Sequence, residues 1–134
     1  MSKSIPKATL ASNVEEICLL HSNKPDALIE ILYDIQAKFD HVPQSALPIV
    51  AEALNITRAE VYGVVTFYHD FHLDRQGTHV IKICRAEACQ SAGGFEVIAA
   101  LEKALKIKLG ETTKDGKITL EAVYCLGLCP MGPA

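Results

Sequence analysis

Residues 79–94, HVIKICRAEACQSAGG, decide the fold of the second half of this 134-residue chain. The segment His79–Cys84 is short and rich in β-branched residues, which is typical of a strand. A helix is predicted over Gly93–Lys106, because apolar residues recur there at helical spacing. They are Phe95, Ile98, Leu101 and Leu105. The stretch therefore indicates a strand that leads through a cysteine-bearing loop into a helix.

A second strand is predicted further along the chain. Asp115-Gly116 is a strong tight-turn signal, and the segment Lys117–Tyr124 alternates between two faces. One of these faces carries Ile118, Leu120, Ala122 and Tyr124. A short strand is also expected at Ile107–Leu109. The order strand, helix, strand, strand predicts a small α/β domain.

The first half of the chain has the period of α-helices instead. We expect residues 1–11 to form a loose arm, and a first helix to begin at the capping box of Ser12 and Glu15. Pro25 fits the first turn of the next helix. The apolar face of that helix is Leu28, Ile31, Leu32, Ile35 and Phe39.

Two further helices are predicted before the strands begin. The apolar period continues to Asn55, a residue type that often ends helices. Thr57 and Glu60 form a second capping box ahead of another apolar run. The residues of these two faces are Leu47, Val50, Ala51 and Leu54, then Val61, Val64 and Val65. The sequence thus predicts a helical bundle in residues 1–75, followed by a second domain in residues 76–134.

The amino-acid composition and net charge disfavour some classes of function. Apolar residues make up 49% and charged residues 22% of the chain, as in soluble globular proteins, and the net charge is −3. This balance gives no reason to expect binding to nucleic acid or to an anionic membrane. The sequence has no apolar run long enough for a bilayer span and no secretory signal, so we expect a cytoplasmic, reducing location. Clustered cysteines in such a chain point to metal or redox chemistry.

Four of the five cysteines form two pairs. Four residues separate Cys84 from Cys89 and three separate Cys125 from Cys129, and each pair falls where a predicted strand runs into a loop. A [2Fe–2S] cluster needs four cysteine ligands, two per iron. Both spacings also suit tetrahedral zinc, so spacing alone leaves a cluster and a zinc site open. Disulfides are disfavoured in a reducing compartment, and a thioredoxin-type dithiol lacks its C-x-x-C motif.

Three separated motifs resemble those of the thioredoxin-like [2Fe–2S] ferredoxins. They are VYGVVTFYHDF at 61–71, CRAEACQSAGG at 84–94 and GETTKDGKITLEAVYCLGLCP at 110–130. The resemblance spans residues 20–134 and implies a thioredoxin-like domain that carries one [2Fe–2S] cluster. The ligands that it implies are Cys84 and Cys89 as the first pair, and Cys125 and Cys129 as the second.

The resemblance also implies a function. The family includes the small iron–sulfur subunit of the NADH-oxidising module of respiratory complex I, and related subunits of NAD-reducing hydrogenases and NAD-dependent formate dehydrogenases. The filling of the first cysteine loop, Arg85–Ala88, is similar to the gamma subunit of soluble, molybdenum-containing formate dehydrogenases. We therefore expect a non-catalytic electron-transfer subunit of an NAD-dependent formate dehydrogenase.

The same resemblance implies the partners. Its cluster would exchange single electrons with the FMN of a partner flavoprotein that binds NAD(H), and a further molybdenum-bearing subunit would act on formate. The equivalent subunit of complex I or of a hydrogenase is the alternative. A zinc-stabilised interaction module without a redox role is the second alternative.

One departure from the family pattern concerns the end of the sequence. Members of the family continue beyond the second cysteine pair with a further hairpin and a final helix, whereas this sequence ends at Pro133-Ala134. We expect the sheet to have an open edge, either because the chain is a fragment or because a partner covers that edge.

The remaining candidate residues have simpler explanations. Cys18 lies on an apolar helical face and is expected to be a small buried hydrophobe. His69 and His72 are spaced as metal ligands, but the four cysteines already complete a ligand set. Arg85 stands next to a ligand and is either an electrostatic aid to the reduced cluster or part of a surface salt bridge. The aromatic residues Tyr62, Phe67, Tyr68 and Phe71 are expected to pack in a core or between domains.

Overall fold

The computed structural model describes residues 7–134 of the chain. The chain divides into two compact units, of which the first ends at Arg75 and the second runs from Gln76 to Ala134. The regular structure of the first unit is helical, and the second combines helices with a two-stranded sheet. The predicted order, helices first and then an α/β region, is confirmed. In residues 7–134 no helix has both the length and the apolar character that a membrane span needs.

The described part of the first unit contains four α-helices joined by short loops. They are α1 (Lys7–Leu20), α2 (Leu28–Phe39), α3 (Leu47–Leu54) and α4 (Arg58–Phe67). Short 3₁₀ turns at Pro25–Ala27 and Gln44–Ala46 lead into α2 and α3. Pro25 stands in the first turn, as predicted, because its fixed φ and missing N–H suit that position.

The start of α1 differs from the prediction. Residues 1–6 of the expected loose arm lie outside the described residues, but residues 7–11 are helical. Ser12 and Glu15 consequently lie inside the helix and do not form a capping box at its start. The nearby Asn13 side chain donates to the Thr9 carbonyl at 2.7 Å, so its polar group is satisfied within the helix. Leu10 is buried and gives the first turns an apolar contact with the core.

The predicted apolar faces of α2 and α3 are confirmed. α2 buries the five predicted positions, and α3 buries its four. Asn55 ends α3 with a left-handed φ of 53°, and its backbone N–H donates to the carbonyls of Ala51 and Glu52. This arrangement satisfies carbonyl groups that the end of a helix would otherwise leave unpaired.

α4 begins with the predicted capping box. The Thr57 backbone N–H donates to Glu60 Oε2 at 2.7 Å, and the Glu60 N–H donates to Thr57 Oγ1 at 3.2 Å. Val61 and Val65 are buried and Val64 packs partly against them. Together the four helices and their loops enclose a core with eighteen buried residues among those described. The largest fully buried side chains of this core are Ile31, Leu32, Ile35 and Leu54.

The second unit is built around two parallel strands. Its elements are β1 (His79–Cys84), α5 (Glu87–Ser91), α6 (Gly94–Leu105), β2 (Ile118–Val123) and a final 3₁₀ turn at Cys129–Met131. The strands pair in register from His79 opposite Ile118 to Cys84 opposite Val123. Parallel neighbours need a long connection, which α5 and α6 supply.

The core of the second unit is small. Its buried members are Ile83, Ile98, Ile107 and Leu120, with Ile81, Leu101, Leu105 and Leu109 partly buried against them. Phe95 was predicted on the same helical face, but it is 62% exposed. It lies in the first turn of α6, one turn before Ile98, the first residue of that helix to enter the core.

The segment between α6 and β2 corrects one prediction and confirms another. Ile107–Leu109 is not a strand, because the backbone N–H groups of Lys108 and Leu109 donate to the carboxylates of Glu111 and Glu102. The predicted turn at Asp115-Gly116 is present. Gly116 adopts a φ of 71°, and its N–H donates to the Thr113 carbonyl at 2.8 Å.

Candidate metal centre

The four paired cysteines lie at one end of the small sheet. Cys84 is the last residue of β1, and Cys89 lies in α5 just beyond it. Cys125 follows β2 by two residues, and Cys129 begins the final 3₁₀ turn. Because the strands are parallel and Cys84 pairs with Val123, their carboxyl ends meet at the same edge. The fold thus brings the two sequence pairs together.

The sulfur atoms of the four residues influence one another. The Sγ atoms of Cys125 and Cys129 are 3.9 Å apart. The backbone N–H groups of Cys125 and Leu126 and the side chain of Cys89 contribute to the lowered pKa of Cys84. Cys89 also contributes to the raised pKa of Cys129. Each pair therefore lies close enough to the other to affect its pKa.

The two pairs differ in exposure. Cys84 and Cys89 are each 1% exposed, whereas Cys125 and Cys129 are exposed to solvent. A group held between the pairs would have one side inside the protein and the other near the surface. The sequence pattern alone gave no sign of this difference, because it depends on how the loops pack.

Backbone N–H groups stabilise sulfur atoms of both pairs. The Ala86 N–H donates to the Cys84 sulfur at 3.4 Å, and the Gly127 N–H donates to the Cys125 sulfur at the same distance. The first of these bonds is the main cause of a lowered pKa at Cys84. The pKa of Cys129 is raised, chiefly through its hydrogen bond with Cys125. Since metals bind the thiolate, the donors around Cys84 favour the binding form.

Gly94 lets α6 begin close to the backbone of Cys89 in α5. A Cβ atom on Gly94 would lie 2.8 Å from the Cys89 carbonyl oxygen and 3.1 Å from its carbonyl carbon. No side chain fits there without a shift of the backbone at Cys89. This contact was missed in the sequence, where the glycine is visible but its neighbour is not.

The helix predicted over Gly93–Lys106 is confirmed as α6, which spans Gly94–Leu105. The sequence did not predict α5, a helix of five residues that contains Cys89. α5 is too short to produce an apolar repeat, so periodicity could not predict it.

The other candidate residues are either buried, held by backbone hydrogen bonds or exposed. Cys18 is fully buried in the core of the first unit, where burial raises the pKa of its thiol. His72 is held by its backbone, because its N–H donates to Gln36 Oε1 at 2.8 Å and its carbonyl accepts from Val42. His69 and Arg85 are exposed.

The aromatic residues of the 61–71 motif are only partly in the core. Phe71 is buried and bears out the expected core packing, whereas Tyr62, Phe67 and Tyr68 are exposed and do not pack in this core. The ring of Phe71 contacts Tyr33 at 5.1 Å and Tyr68 at 6.1 Å between centroids. Tyr33, from α2, is a member of the cluster that the motif alone did not reveal.

The donor set fits a binuclear cluster. Two sulfur ligands at about 2.3 Å from one tetrahedral ion lie about 3.8 Å apart, which agrees with the 3.9 Å between Cys125 and Cys129. The cysteines come as two pairs, which supplies two ligands for each of the two irons of such a cluster.

Comparison with known proteins identifies the family. Residues 14–134 match the thioredoxin-like [2Fe–2S] ferredoxins. The chain therefore belongs to this family, which confirms the predicted family, fold class and [2Fe–2S] cofactor.

Several curated relatives are subunits of larger oxidoreductases. The E subunit of the NADH-quinone oxidoreductase of Pseudomonas aeruginosa is 36% identical over 126 residues, which cover 94% of this chain and 76% of that protein. Its namesake from Escherichia coli (strain K12) is 42% identical over 107 residues, covering 80% of this chain and 64% of the relative. The HndA subunit of the NADP-reducing hydrogenase of Solidesulfovibrio fructosivorans is 33% identical over 110 residues, with coverages of 82% and 64%. The chain thus spans between about two thirds and three quarters of the length of these relatives.

A solved structure supports the fold. A chain of an NAD⁺-reducing [NiFe]-hydrogenase in the H₂-reduced state superposes with a TM-score of 0.62 at 22% identity. The match covers 76% of this chain and 17% of the hydrogenase chain. At this identity the likeness concerns the fold alone.

Proposed function

We propose that Cys84, Cys89, Cys125 and Cys129 hold one [2Fe–2S] cluster. Cys84 and Cys89 would bind one iron, and Cys125 and Cys129 the other. The observation that carries this assignment is the meeting of both pairs at the carboxyl ends of β1 and β2, with 3.9 Å between the sulfurs of the second pair. The two units of the chain would then act as two domains, a helical domain up to residue 75 and a cluster domain from residue 76.

The role that we propose for the chain is one-electron transfer. When bound, the cluster supplies one-electron chemistry and breaks no substrate bond. The protein's part is to hold four thiolates and to direct the N–H groups of Ala86 and Gly127 at their sulfurs. Such bonds stabilise negative charge on the sulfur and thereby favour the reduced state.

The proposed partner is a flavoprotein subunit with FMN and NAD(H). A nicotinamide exchanges two electrons as hydride, so a flavin is needed between it and a one-electron centre. Exposed apolar side chains flank the exposed cysteine pair in the chain, as is typical of a partner-binding surface. They are Tyr124, Leu126, Leu128 and Met131. We propose that the flavoprotein docks over this segment and reaches the cluster from the side of Cys125 and Cys129.

The complex that we propose is a cytoplasmic NAD-dependent formate dehydrogenase. Its reaction is formate plus NAD⁺ to carbon dioxide plus NADH, with formate oxidised on a molybdenum-bearing subunit. The support is the Arg-Ala-Glu-Ala filling of the first cysteine loop, which resembles the gamma subunit of such enzymes. The second candidate is a complex I or hydrogenase subunit, favoured by the names of the relatives.

Metal analysis of the purified chain tests the cluster. Anaerobically purified protein is expected to be coloured, to contain about two irons and two acid-labile sulfides per chain, and to give a paramagnetic resonance signal after dithionite reduction. Serine variants of Cys84, Cys89, Cys125 or Cys129 should lose iron, whereas the matched control Cys18→Ser should keep it. A colourless protein with one zinc per chain would overturn the proposal in favour of the zinc-stabilised module.

The native complex tests the parent enzyme. In a complex isolated through this subunit, formate should reduce the cluster in the absence of NADH, as followed by paramagnetic resonance. Reduction by hydrogen, or by NADH with a quinone as acceptor and no response to formate, would assign the chain to the second candidate.

A further inference from the structure

A cavity of 490 Å³ lies at the end of the second unit that is opposite to the cysteines. It is bordered by the C-terminus of α6, by the turn that precedes β2 and by the first residue of β2. The cysteines lie beyond the last residues of both strands, so the length of β2 separates the two features. The lining includes the apolar residues Leu105, Ile107 and Ile118 and the basic residues Lys106, Lys114 and Lys117.

The floor of the cavity is an extension of the small core. Ile107 is a buried core residue, and Leu105 packs partly against the same cluster. Ile118 is half-buried at the start of β2. The cavity is partly open to solvent. An apolar side chain inserted there would add to a core that has few residues of its own.

The rim of the cavity is positive. Three lysines and one aspartate line it. Asp115 is engaged in the turn, where its Oδ1 accepts from the Thr113 hydroxyl and from the Lys117 backbone N–H. Lys106 and Lys114 are exposed and take part in no ion pair within the described part of the chain. The charge at the mouth is therefore largely uncompensated and attracts carboxylates.

We propose that this cavity is the docking site for an acidic segment of a partner polypeptide. One or two apolar side chains of that segment would rest on Leu105, Ile107 and Ile118, and its carboxylates would pair with the rim lysines. A polypeptide suits the site better than a small molecule, because small-molecule pockets bury most of their ligand and hold it with inward polar groups. This inference goes beyond the electron-transfer role and does not depend on it.

The test is a titration of the metal-loaded full chain with a synthetic peptide, followed by nuclear magnetic resonance. The probe is acetyl-Glu-Leu-Glu-Glu-Leu-Glu-amide. Shifts are expected for the amides of residues 104–107 and 113–118. The variant Lys114→Glu should weaken binding by about tenfold, whereas the matched charge reversal Lys24→Glu on the first unit should leave it unchanged. Replacing both leucines of the peptide by serine should also weaken binding.

Four outcomes would overturn the proposal. The first is an absence of shifts in these segments, and the second is equal binding by Lys114→Glu and the parent chain. The third is a set of the same shifts, at the same affinity, with glutarate or inorganic phosphate, which would make this a small-anion site. The fourth is self-association of the chain that Lys114→Glu abolishes, since the occupant would then be a second copy of the chain.

Discussion

The two units of this protein differ in how their folds are stabilised. The first contains eighteen buried core residues in its described part, whereas the second contains four. The second unit, from Gln76 to Ala134, is also the shorter one. Domains with so little buried apolar surface usually need a metal, a disulfide or a partner to remain folded. We therefore expect the proposed cofactor to stabilise the fold of the second unit in addition to transferring electrons.

The largest expected effect follows from removing the cofactor. Chelation of iron from the reduced protein should lower the free energy of unfolding of the second unit by about 3 kcal/mol or more, because binding energy is folding energy in small metal domains. Hydrogen exchange should therefore accelerate about a hundredfold or more in β1 and β2. The amides of α2 and α3 serve as the internal control and should keep their protection. Equal acceleration in both units would contradict the comparison.

A core truncation tests whether the first unit is stabilised by its own apolar core. Leu32 is fully buried in α2, so Leu32→Ala should lower the free energy of unfolding of the first unit by about 2–5 kcal/mol. Denaturant unfolding followed by far-ultraviolet circular dichroism measures this loss, and iron content should stay unchanged. The control is Leu19→Ala, at a position that is 66% exposed, where the change should be small. A similar decrease in the free energy of unfolding for both variants would show that side-chain burial does not determine the stability of the first unit.

A pair of glycine variants tests whether the close packing of Gly94 against Cys89 is needed for metal binding. Gly94→Ala should cost about 1–3 kcal/mol and reduce iron content, because the new Cβ would lie 2.8 Å from the Cys89 carbonyl oxygen. Gly63→Ala, inside α4 with no atom within 4 Å of its Cβ position, should instead raise stability by about 0.5–1 kcal/mol. Iron analysis and thermal unfolding measure both. Full iron content in Gly94→Ala would contradict the close approach seen here.

The smallest expected effect concerns the capping box of α4. Thr57→Ala should lower the free energy of unfolding of the first unit by about 0.5–2 kcal/mol, as measured by denaturant unfolding at neutral pH. Thr66→Ala, which removes a hydroxyl inside the same helix, is the control.

This effect should depend on pH with a defined sign. Hydrogen bonds from the Thr57 side chain and backbone hold the pKa of Glu60 below its usual range. Because the pKa is lower in the folded state, the contribution is present above the unfolded pKa and lost as pH falls through the folded value. The difference between Thr57→Ala and the parent should therefore shrink in acid, and a constant difference would exclude Glu60 from the capping effect.

The sequence predicted the fold best where a local pattern and the tertiary contacts agree. The face of α2 is correct because five residues at helical spacing are also the ones that face the core. The capping box of α4 is correct because Thr57 and Glu60 interact with each other and need no distant partner. Ser12 and Glu15 have the same spacing but lie inside α1, since preceding residues such as Leu10 extend the helix into the core. The spacing of a capping box does not show whether the residues before it are also helical.

The sequence predicted the cysteine ligands of the candidate site but not their burial or the residues packed around them. The cysteine spacing and the strand periods were enough to place each pair where a strand runs into a loop, but the parallel pairing that brings both pairs to one sheet edge was seen only in the structure. The burial of Cys84 and the exposure of Cys125 were not predictable, because they depend on how the loops pack. The same holds for the contact between Gly94 and the carbonyl of Cys89. Such details arise from residues that are distant in sequence or from helices, such as α5, that are too short to have a period.

The exposed pair of thiols has a consequence for the biogenesis of the protein. Before metal arrives, Cys125 and Cys129 are neighbours at the surface and open to oxidants. Loss of two electrons and two protons would join them as a disulfide, and a chain in that form cannot accept iron until a reductant reopens it. A reducing compartment disfavours this disulfide, whereas purified protein exposed to air is expected to need a thiol reductant until it is loaded.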